Sequence, residues 1–260
     1  MTAAAAPFDA LAAHYDAEFT VTPLGQRLRH AVWRHLDAAF PEGARVLDLG
    51  CGTGEDAVHL AGRGVSVHAL DASPVMADAA LSKAAREGVA SRIRVEVRPV
   101  EALDGLHSRP FDGAYSNFGA LNCVADLGRV ARSLGPLLRP GAPLVLVLMG
   151  RSVPWEWVWH LTHGEPRTAF RRFSRHGVPW RGLTVFYPTI RAVRRALAPG
   201  FTLRGIRAIG VLLPPTYARG WASRHPRLLE TLDRTERRLE RVWPLPQLAD
   251  HVLFRFERNG

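Results

Sequence analysis

Three alternating glycines, Gly50, Gly52 and Gly54, follow the apolar segment 45–49. Glycines let the backbone turn sharply and approach a ligand closely, and the β-branched, apolar character of segment 45–49 suits a buried strand of a parallel sheet. Segment 57–61 then shows helical apolar periodicity. The stretch therefore predicts a strand, a tight turn and a helix start that together bind a nucleotide-like ligand, with a turn that binds nothing as the alternative.

The residues around this turn restrict which ligand fits. A dinucleotide fingerprint requires a glycine where Glu55 stands, and a phosphate-binding loop requires a lysine that is absent here. Asp48, Glu55 and Asp56 place three carboxylates around a helix start that would otherwise favour a phosphate. We therefore expect a ligand with positive charge. S-adenosyl-L-methionine fits, because it has no phosphate, carries a sulfonium and an ammonium, and offers a carboxylate to the free N–H groups of the helix start.

Segment 46–54 resembles the first motif of the class I S-adenosylmethionine-dependent methyltransferases, and segment 67–76, with Asp71, resembles their second strand and its acidic end. The resemblance covers roughly residues 8–150. It implies an α/β fold, namely a Rossmann-like, open, mostly parallel seven-stranded sheet with helices on both faces and a helical cap. It also implies S-adenosyl-L-methionine as the donor and S-adenosyl-L-homocysteine as the product.

The resemblance further implies which residues bind the donor. In the family, the carboxylate at the position of Asp71 accepts both ribose hydroxyls, although Asp71 could instead only cap the next helix. Arg98 and Pro99 depart from the family's usual Gly-Asp pair, so the adenine contact depends on the Val100 N–H and on Glu101. The full expected set is Tyr15, Asp48, Gly50, Cys51, Gly52, Gly54, Asp71, Ala72, Met76, Val100, Glu101, Asn117 and Phe118.

The loop after the fourth predicted strand, 111–116, bears on the acceptor. Nucleic-acid amino-methyltransferases place an Asx-Pro-Pro-aromatic segment here for a flipped base, whereas Asn117-Phe118-Gly119 lacks both prolines. This favours a small or medium-sized organic acceptor over nucleic acid. Asn117 is equally compatible with a turn residue whose hydrogen bonds are satisfied within the protein.

Candidate catalytic residues lie outside these motifs. If the acceptor is a hydroxyl, a base would help. The candidates are His14, Tyr15 and His160, and Tyr187 is a further one. Segment 154–160 has three tryptophans in five residues, which predicts either an apolar or aromatic acceptor or a cap docked onto the core. The expected reaction is methyl transfer to an O, N or C atom of such an acceptor.

The predicted organisation is one methyltransferase domain over 1–260. Segment 1–42 forms leading helices that act as a lid, 43–150 the donor-binding core, 151–188 a cap insertion, and 189–260 the rest of the sheet with one long inserted helix. The apolar stripe expected on that helix consists of Trp221, Leu228, Leu232, Leu239 and Val242.

Composition supports a globular enzyme. The net charge is +10, yet Lys83 is the only lysine among 34 basic residues, which suggests codon bias more than a surface selected for nucleic acid. The two cysteines suit a reducing cytoplasm and predict no disulfide, and the lack of metal-ligand spacing predicts no metal site. No apolar segment is long enough for a bilayer, so we expect no membrane contact. We expect a monomer or homodimer. An RNA or protein methyltransferase, and a donor-binding protein without methyl transfer, are the competing hypotheses.

Overall fold

The sheet contains seven strands, as the sequence predicts. The computed structural model describes residues 6–216 and 219–260. In chain order the main-sheet strands are β1 (Arg45–Leu49), β2 (Ser66–Asp71), β3 (Ile93–Val97), β4 (Gly113–Ser116), β5 (Pro143–Met149), β8 (Phe201–Ile209) and β9 (His251–Arg258). A separate two-stranded hairpin consists of β6 (Val178–Trp180) and β7 (Leu183–Val185). The sequence also suggests an extra strand over 183–187. The first part of this segment forms one strand of the hairpin, outside the main sheet.

The strand order indicates which edge of the sheet binds a ligand. The order is β3-β2-β1-β4-β5-β9-β8, with the first five strands parallel and β9 antiparallel to both of its neighbours. Connections run outward in opposite directions from the β1–β4 boundary. Ligands of open parallel sheets bind at the carboxyl ends of strands beside such a boundary. The loops after β1, β2 and β4 meet there.

Helices cover both faces of the sheet. They are α1 (Ala6–Tyr15), α2 (Pro23–Ala39), α3 (Glu55–Gly62), α4 (Pro74–Arg86), α5 (Leu127–Leu134), α6 (Pro154–Thr162), α7 (Pro166–Ala169), α8 (Ile190–Leu197), α9 (Arg219–Arg224) and α10 (Pro226–Leu239). One apolar core lies between the sheet and α2, α3, α4, α9 and α10, and a second lies between the opposite face and α5 and α8. This confirms the Rossmann-like α/β architecture.

The N-terminal helices form where the periodicity predicts them. Thr22 caps α2 by accepting the Gly25 N–H at 3.0 Å, and Pro23 occupies the first turn, where its missing N–H costs nothing. The predicted stripe, which includes Leu24, Leu28 and Val32, is at most 2% exposed. Between α1 and α2, residues Asp16–Thr20 form one π-helical turn.

The single long helix expected after β8 is wrong. The chain forms α9 and α10 instead, because Pro226 has no N–H for a helical hydrogen bond and starts a new helix. Leu228 is 47% exposed and Val242 46%, while Trp221 lies in α9 with its side chain outside the described part of the structure. The buried stripe of α10 is instead Leu229, Asp233 and Glu236.

Acidic residues face inward on α10 because they bind groups that the sheet leaves unpaired. Both carboxylate oxygens of Glu236 accept backbone N–H groups, one from Gly210 and the other from Leu212 at 3.0 Å. Burial raises the pKa of Glu236, and these hydrogen bonds act against that shift. The exposed pair Glu230–Arg234, predicted from its spacing, forms on the outer side of the same helix.

We predict that Glu236→Ala destabilises the protein. The change leaves two N–H groups without their acceptor, so the free energy of unfolding should fall by about 1–3 kcal/mol for each group left buried. Urea unfolding followed by circular dichroism measures the change. Glu230→Ala is the control on the same helix, and an exposed ion pair is worth about 0.2–1 kcal/mol. Equal losses in the two variants would contradict the structural role of Glu236.

Candidate donor-binding site

The glycine loop after β1 is shaped by three residues with positive φ. Gly50, Gly52 and Gly54 have φ of 84°, 53° and 79°, a region that side-chain-bearing residues rarely adopt. A Cβ on Gly50 would meet the Cβ of Ala120 at 2.4 Å, and one on Gly54 would meet the Cβ of Ala80 at 2.7 Å. A Cβ on Gly52 would meet nothing within 4 Å. Gly50 and Gly54 therefore allow close packing, whereas Gly52 borders open space.

Asp71, at the carboxyl end of β2, faces this loop. Its Oδ2 accepts the Gly52 N–H at 2.8 Å and its Oδ1 accepts the Ser73 N–H at 2.9 Å. The residue is 8% exposed, and burial raises the pKa of its carboxyl group against the lowering effect of these N–H groups. The carboxylate is thus fixed beside the open face of Gly52. It also helps Ser73, whose Oγ accepts the Met76 N–H at 3.0 Å, to start α4.

Asp56 joins three segments at the first turn of α3. Its Oδ1 accepts from Arg29 Nη1 at 2.8 Å and from Trp33 Nε1 at 2.7 Å, and its Oδ2 accepts from Asn117 Nδ2 at 2.9 Å. Arg29 and Trp33 belong to α2, and Asn117 follows β4. Asp56 is 7% exposed, so these charge-assisted bonds are shielded from water. Sequence reasoning counted Asp56 only as one of three negative charges.

Asp48 lies below the loop rather than in it. It is 2% exposed, and its Oδ2 accepts the hydroxyl proton of the fully buried Tyr115 at 2.9 Å. Burial raises the pKa of Asp48 well above its ordinary value, and the nearby charge of Asp56 adds to this effect. The carboxylate of Asp48 thus joins β1 to β4 through Tyr115, and its contact with the donor stays a prediction.

The residues expected around the adenine lie at the ends of β2 and β3. Met76 is 3% exposed in the first turn of α4, Ala72 is half-buried, and Val100 is 8% exposed with its side chain in the core. Glu101 is exposed. Arg98, which departs from the family pattern, pairs with Glu96 at 2.6 Å and donates to the Ala102 carbonyl at 2.8 Å. It therefore stabilises the loop that holds Val100 and Glu101.

The segment before α2 lies against the loop, as a lid would. Asp16 Oδ1 accepts from Thr53 Oγ1 at 2.7 Å, and its Oδ2 lies 2.8 Å from Lys83 Nζ. Burial opposes ionisation of Asp16, but the hydrogen bonds from Lys83 and Thr53 outweigh it and lower the pKa. Tyr15 is close enough to Arg29 for a hydrogen bond, although burial raises its pKa.

Asn117 and Phe118 are placed by the contacts of the loop after β4. Asn117 Nδ2 binds Asp56 and its Oδ1 accepts the Phe118 N–H at 2.9 Å, so its side chain is engaged within the protein as the turn interpretation predicted. Phe118 has φ of 44°, an uncommon backbone conformation for an aromatic residue. Its ring packs edge-on against Phe19 and His251, at centroid distances of 5.0 and 5.2 Å.

The other predicted catalytic residues lie on α1, on α6 and after β7. His14 is exposed on α1. His160 Nδ1 lies 2.7 Å from Glu165, and its Nε2 lies 3.2 Å from Arg171, so both ring nitrogens have partners in the cap. Tyr187 is 9% exposed, with its ring 5.1 Å from the Arg172 guanidinium. Both ring nitrogens of His160 are thus engaged within the cap, and its role as a base stays a prediction.

The tryptophans of α6 contact the protein itself. Trp155 Nε1 donates to the Leu212 carbonyl at 3.2 Å, Trp157 packs against Phe173 at 5.9 Å, and Trp159 stacks on His163 at 4.6 Å. The Trp155 contact fits the docking interpretation, whereas those of Trp157 and Trp159 lie within the cap.

His251 was missed by the sequence analysis. It starts β9 and pairs with Met149 at the carboxyl end of β5, which brings it to the ligand edge of the sheet. Its Nδ1 lies 3.3 Å from Asp250 Oδ2, and Asp250 Oδ1 binds Arg172 Nη2 at 2.9 Å. Burial works against the charge of Asp250, but His251 and Arg172 hold its pKa well below the ordinary value. A histidine before a strand carries no motif, so only the antiparallel pairing reveals it.

Residues 6–216 and 219–260 show neither a metal site nor a membrane-spanning helix. No three His, Cys, Asp or Glu side chains within these ranges come together as a metal site. No helix in them is long and apolar enough to cross a membrane.

Comparisons with known proteins identify the family. Residues 46–141 match the family model described as a methyltransferase domain. Aklanonic acid methyltransferase DauC of Streptomyces sp. (strain C5) is 31% identical over 196 residues, which cover 64% of this chain and 81% of that protein. The chain belongs to the S-adenosylmethionine-dependent methyltransferases. This confirms the family, and with it the donor S-adenosyl-L-methionine, that the motifs around Gly50 and Asp71 predicted.

Two further comparisons bear on this methyltransferase. Malonyl-[acyl-carrier protein] O-methyltransferase of Pseudescherichia vulneris is 34% identical over 64% of this chain and 65% of its own length. The chain spans about half the length of several other curated relatives that it matches. The structure of the CcbJ methyltransferase from Streptomyces caelestis superposes with a TM-score of 0.64 at 16% identity, covering 98% of this chain and 99% of that one. At that identity the likeness supports the fold alone.

The glycine loop generates a matched pair of variants. Gly52→Ala should lower the free energy of unfolding by about 1–2 kcal/mol, which is the cost of a left-handed backbone conformation for alanine. Its Cβ adds no clash because it points into open space. Gly50→Ala should cost that amount and about 1–3 kcal/mol more, because its Cβ would overlap Ala120. Thermal unfolding without ligand measures both. A Gly52→Ala variant less stable than Gly50→Ala would contradict the packing assigned to the two glycines.

Proposed function

We propose that this protein transfers a methyl group from S-adenosyl-L-methionine to an O, N or C atom of a small or medium-sized, apolar or aromatic organic acceptor. The observation that carries the donor part is the open face of Gly52 beside the fixed carboxylate of Asp71. A backbone without a side chain and a neighbouring anion suit a ribose and a cationic amino-acid group. Lys83 is not free for a phosphate, since its Nζ is held by Asp16 and Glu55.

The donor site would use residues already placed around the glycine loop. Asp71 would accept the ribose hydroxyls, the loop backbone at Gly50, Cys51 and Gly52 would contact the amino-acid part, and Ala72, Met76, Val100 and Glu101 would border the adenine. Tyr15 and Phe118 would enclose the donor from the lid and the β4 loop. The negative charge of Asp56 is matched by Arg29, which leaves the field of Asp71 as the attraction for a cation.

When bound, S-adenosylmethionine supplies an electrophilic methyl group on a sulfonium, which keeps the electron pair of the broken S–C bond and becomes a neutral thioether. The chain's own contribution is to align the acceptor atom and exclude water. For a hydroxyl acceptor, we propose His251 as the group that takes the proton: its Nδ1 lies 3.3 Å from Asp250 Oδ2, and Asp250 Oδ1 binds Arg172 Nη2 at 2.9 Å. Phe118 and Phe19 provide an aromatic wall beside it.

Two observations favour a small acceptor over a macromolecule. The loop after β4 lacks the prolines with which enzymes hold a flipped base, and Asn117 is bound to Asp56. The two relatives described above carry names that specify an acyl-carrier-bound malonyl group and aklanonic acid as their substrates. An RNA acceptor, which the +10 charge permits, would show binding that weakens steeply with salt, whereas a small neutral acceptor would not.

We predict that Asp71→Ala weakens binding of S-adenosylhomocysteine and S-adenosylmethionine by about 10- to 100-fold. Hydrogen bonds to a charged group contribute about 1.5–3 kcal/mol each, and each 1.4 kcal/mol is tenfold in affinity. Isothermal titration calorimetry measures both ligands. Asp78→Ala, an exposed carboxylate on α4, is the control and should bind as the wild type does. Absence of binding to the wild-type protein would refute the donor assignment.

A second prediction concerns the proton acceptor. His251→Asn should lower single-turnover methylation of a responsive phenol from an acceptor panel by about 10²-fold or more, the usual contribution of a positioned base. Binding of S-adenosylhomocysteine should stay unchanged, since His251 lies on the acceptor side. The control is His107→Asn, which alters an exposed histidine in another loop. Equal rates for wild type and His251→Asn would exclude a base role for that residue.

A further inference from the structure

Lys83 is the only lysine of the chain, among 34 basic residues, and it is 7% exposed on α4. Its Nζ lies 2.7 Å from Glu55 Oε2, 2.8 Å from Asp16 Oδ2 and 3.2 Å from Thr53 Oγ1. An ammonium has three N–H donors, and here they face three oxygens. The planar fork of an arginine does not fit three acceptors arranged around one point, which gives a physical reason for a lysine at this position.

The three oxygens belong to different parts of the site. Asp16 follows α1, Thr53 lies between Gly52 and Gly54 in the glycine loop, and Glu55 starts α3. Asp16 and Thr53 are also joined directly at 2.7 Å. One side chain of α4 thus holds the N-terminal segment, 6–20, to the loop that borders the donor site.

A second contact attaches the same segment on the ribose side. Asp9 of α1 accepts from Ser73 Oγ at 2.5 Å, and Ser73 also donates its N–H to Asp71. Segment 6–20 is therefore fastened on both sides of the pair formed by Gly52 and Asp71. These two fastenings are polar, and they act beside the apolar contacts of Leu11 and Phe19 in the same segment.

A cavity beside the π-helical turn Asp16–Thr20 shows why the lysine contact matters there. It has a volume of about 370 Å³ and lies between the turn and helices α2, α3 and α4, with Asp16, Thr20, Trp33, Lys83 and Arg86 in its lining. Apolar packing does not fill this side of the turn. The ion pair between Lys83 and Asp16 crosses the gap.

We propose that Lys83 is a positioning residue that latches segment 6–20 onto the glycine loop, so that closing this segment and ordering the donor-binding loop are one step. The inference rests on the proposed function for the identity of the ligand. Donor or product release then requires the contacts of Lys83 with Asp16 and Thr53 to break. The latch lengthens the residence time of the bound nucleoside and keeps water from the reacting sulfonium.

The test uses Lys83→Arg and Lys83→Gln in the full chain, with Arg86→Gln as the control. Arg86 is exposed one turn further along α4 and pairs only loosely with Glu87, at 3.6 Å. Dissociation of S-adenosylhomocysteine is followed by stopped-flow fluorescence, and hydrogen exchange by mass spectrometry reports on segments 6–20 and 74–86. Both Lys83 variants should release the product about tenfold faster, which corresponds to about 1.4 kcal/mol. Exchange should rise over 6–20 and not over 74–86, and Arg86→Gln should behave as the wild type.

Asp16→Asn supplies a second route to the same interaction. Its effect on dissociation should not add to that of Lys83→Gln in the double variant, because the two residues share one contact. This variant also keeps the test valid if removal of the buried ammonium prevents folding.

The outcomes separate the latch from the donor proposal. Faster exchange over 6–20 with unchanged product dissociation would overturn the coupling, and unchanged exchange would overturn the latch itself. Equal increases of exchange over 6–20 and 74–86 would assign Lys83 a merely structural role in α4. Failure of the wild-type protein to bind S-adenosylhomocysteine would refute the donor proposal and the coupling together, whereas binding with an unaltered dissociation rate in both variants would refute only the coupling.

Discussion

The carboxylate of Asp56 is the interaction on which the rest of the site depends. It accepts three N–H groups from Arg29, Trp33 and Asn117, which lie on α2 and on the loop after β4. Without it, the buried Arg29 would lose its counter-charge, and removing one partner of a buried pair typically costs about 3–5 kcal/mol. Three segments that are distant in sequence therefore take their relative positions from one side chain in the first turn of α3.

The same interaction supports the strained loop after β4. Phe118 has a positive φ, which is costly for an aromatic residue, and its N–H is held by the Oδ1 of Asn117 while the Nδ2 of Asn117 is held by Asp56. The strain turns the ring of Phe118 towards Phe19 of the lid and His251 of the last strand. Arg29 lies over the same two phenyl rings, at 5.5 and 5.1 Å from their centroids. The ion pair of Asp56 with Arg29 and the aromatic contacts of Phe118 thus belong to one connected cluster of side chains.

Local patterns predicted much of the fold. The bounds of β1 agree to the residue with the predicted segment 45–49, because an apolar, β-branched run followed by glycines leaves few alternatives. The prediction of one long helix after β8 was wrong because it assumed an apolar stripe. The buried face of α10 instead carries Asp233, which binds Arg237, and Glu236, which binds the backbone of Gly210. A buried carboxylate satisfied by backbone N–H groups has no hydrophobic periodicity to reveal it.

The donor side of the site was more predictable than the acceptor side, and the reason is separation along the chain. Gly50 to Gly54 and Asp71 lie on two consecutive strands, so their spacing already implies their proximity. On the other side, Arg172 of the cap reaches Asp250 across 78 residues, and Glu156 meets Arg172 at 2.5 Å from yet another helix. Asp250 Oδ2 in turn lies 3.3 Å from His251 Nδ1. Such contacts depend on how the cap docks against an antiparallel strand pair, which no local spacing in the sequence predicts.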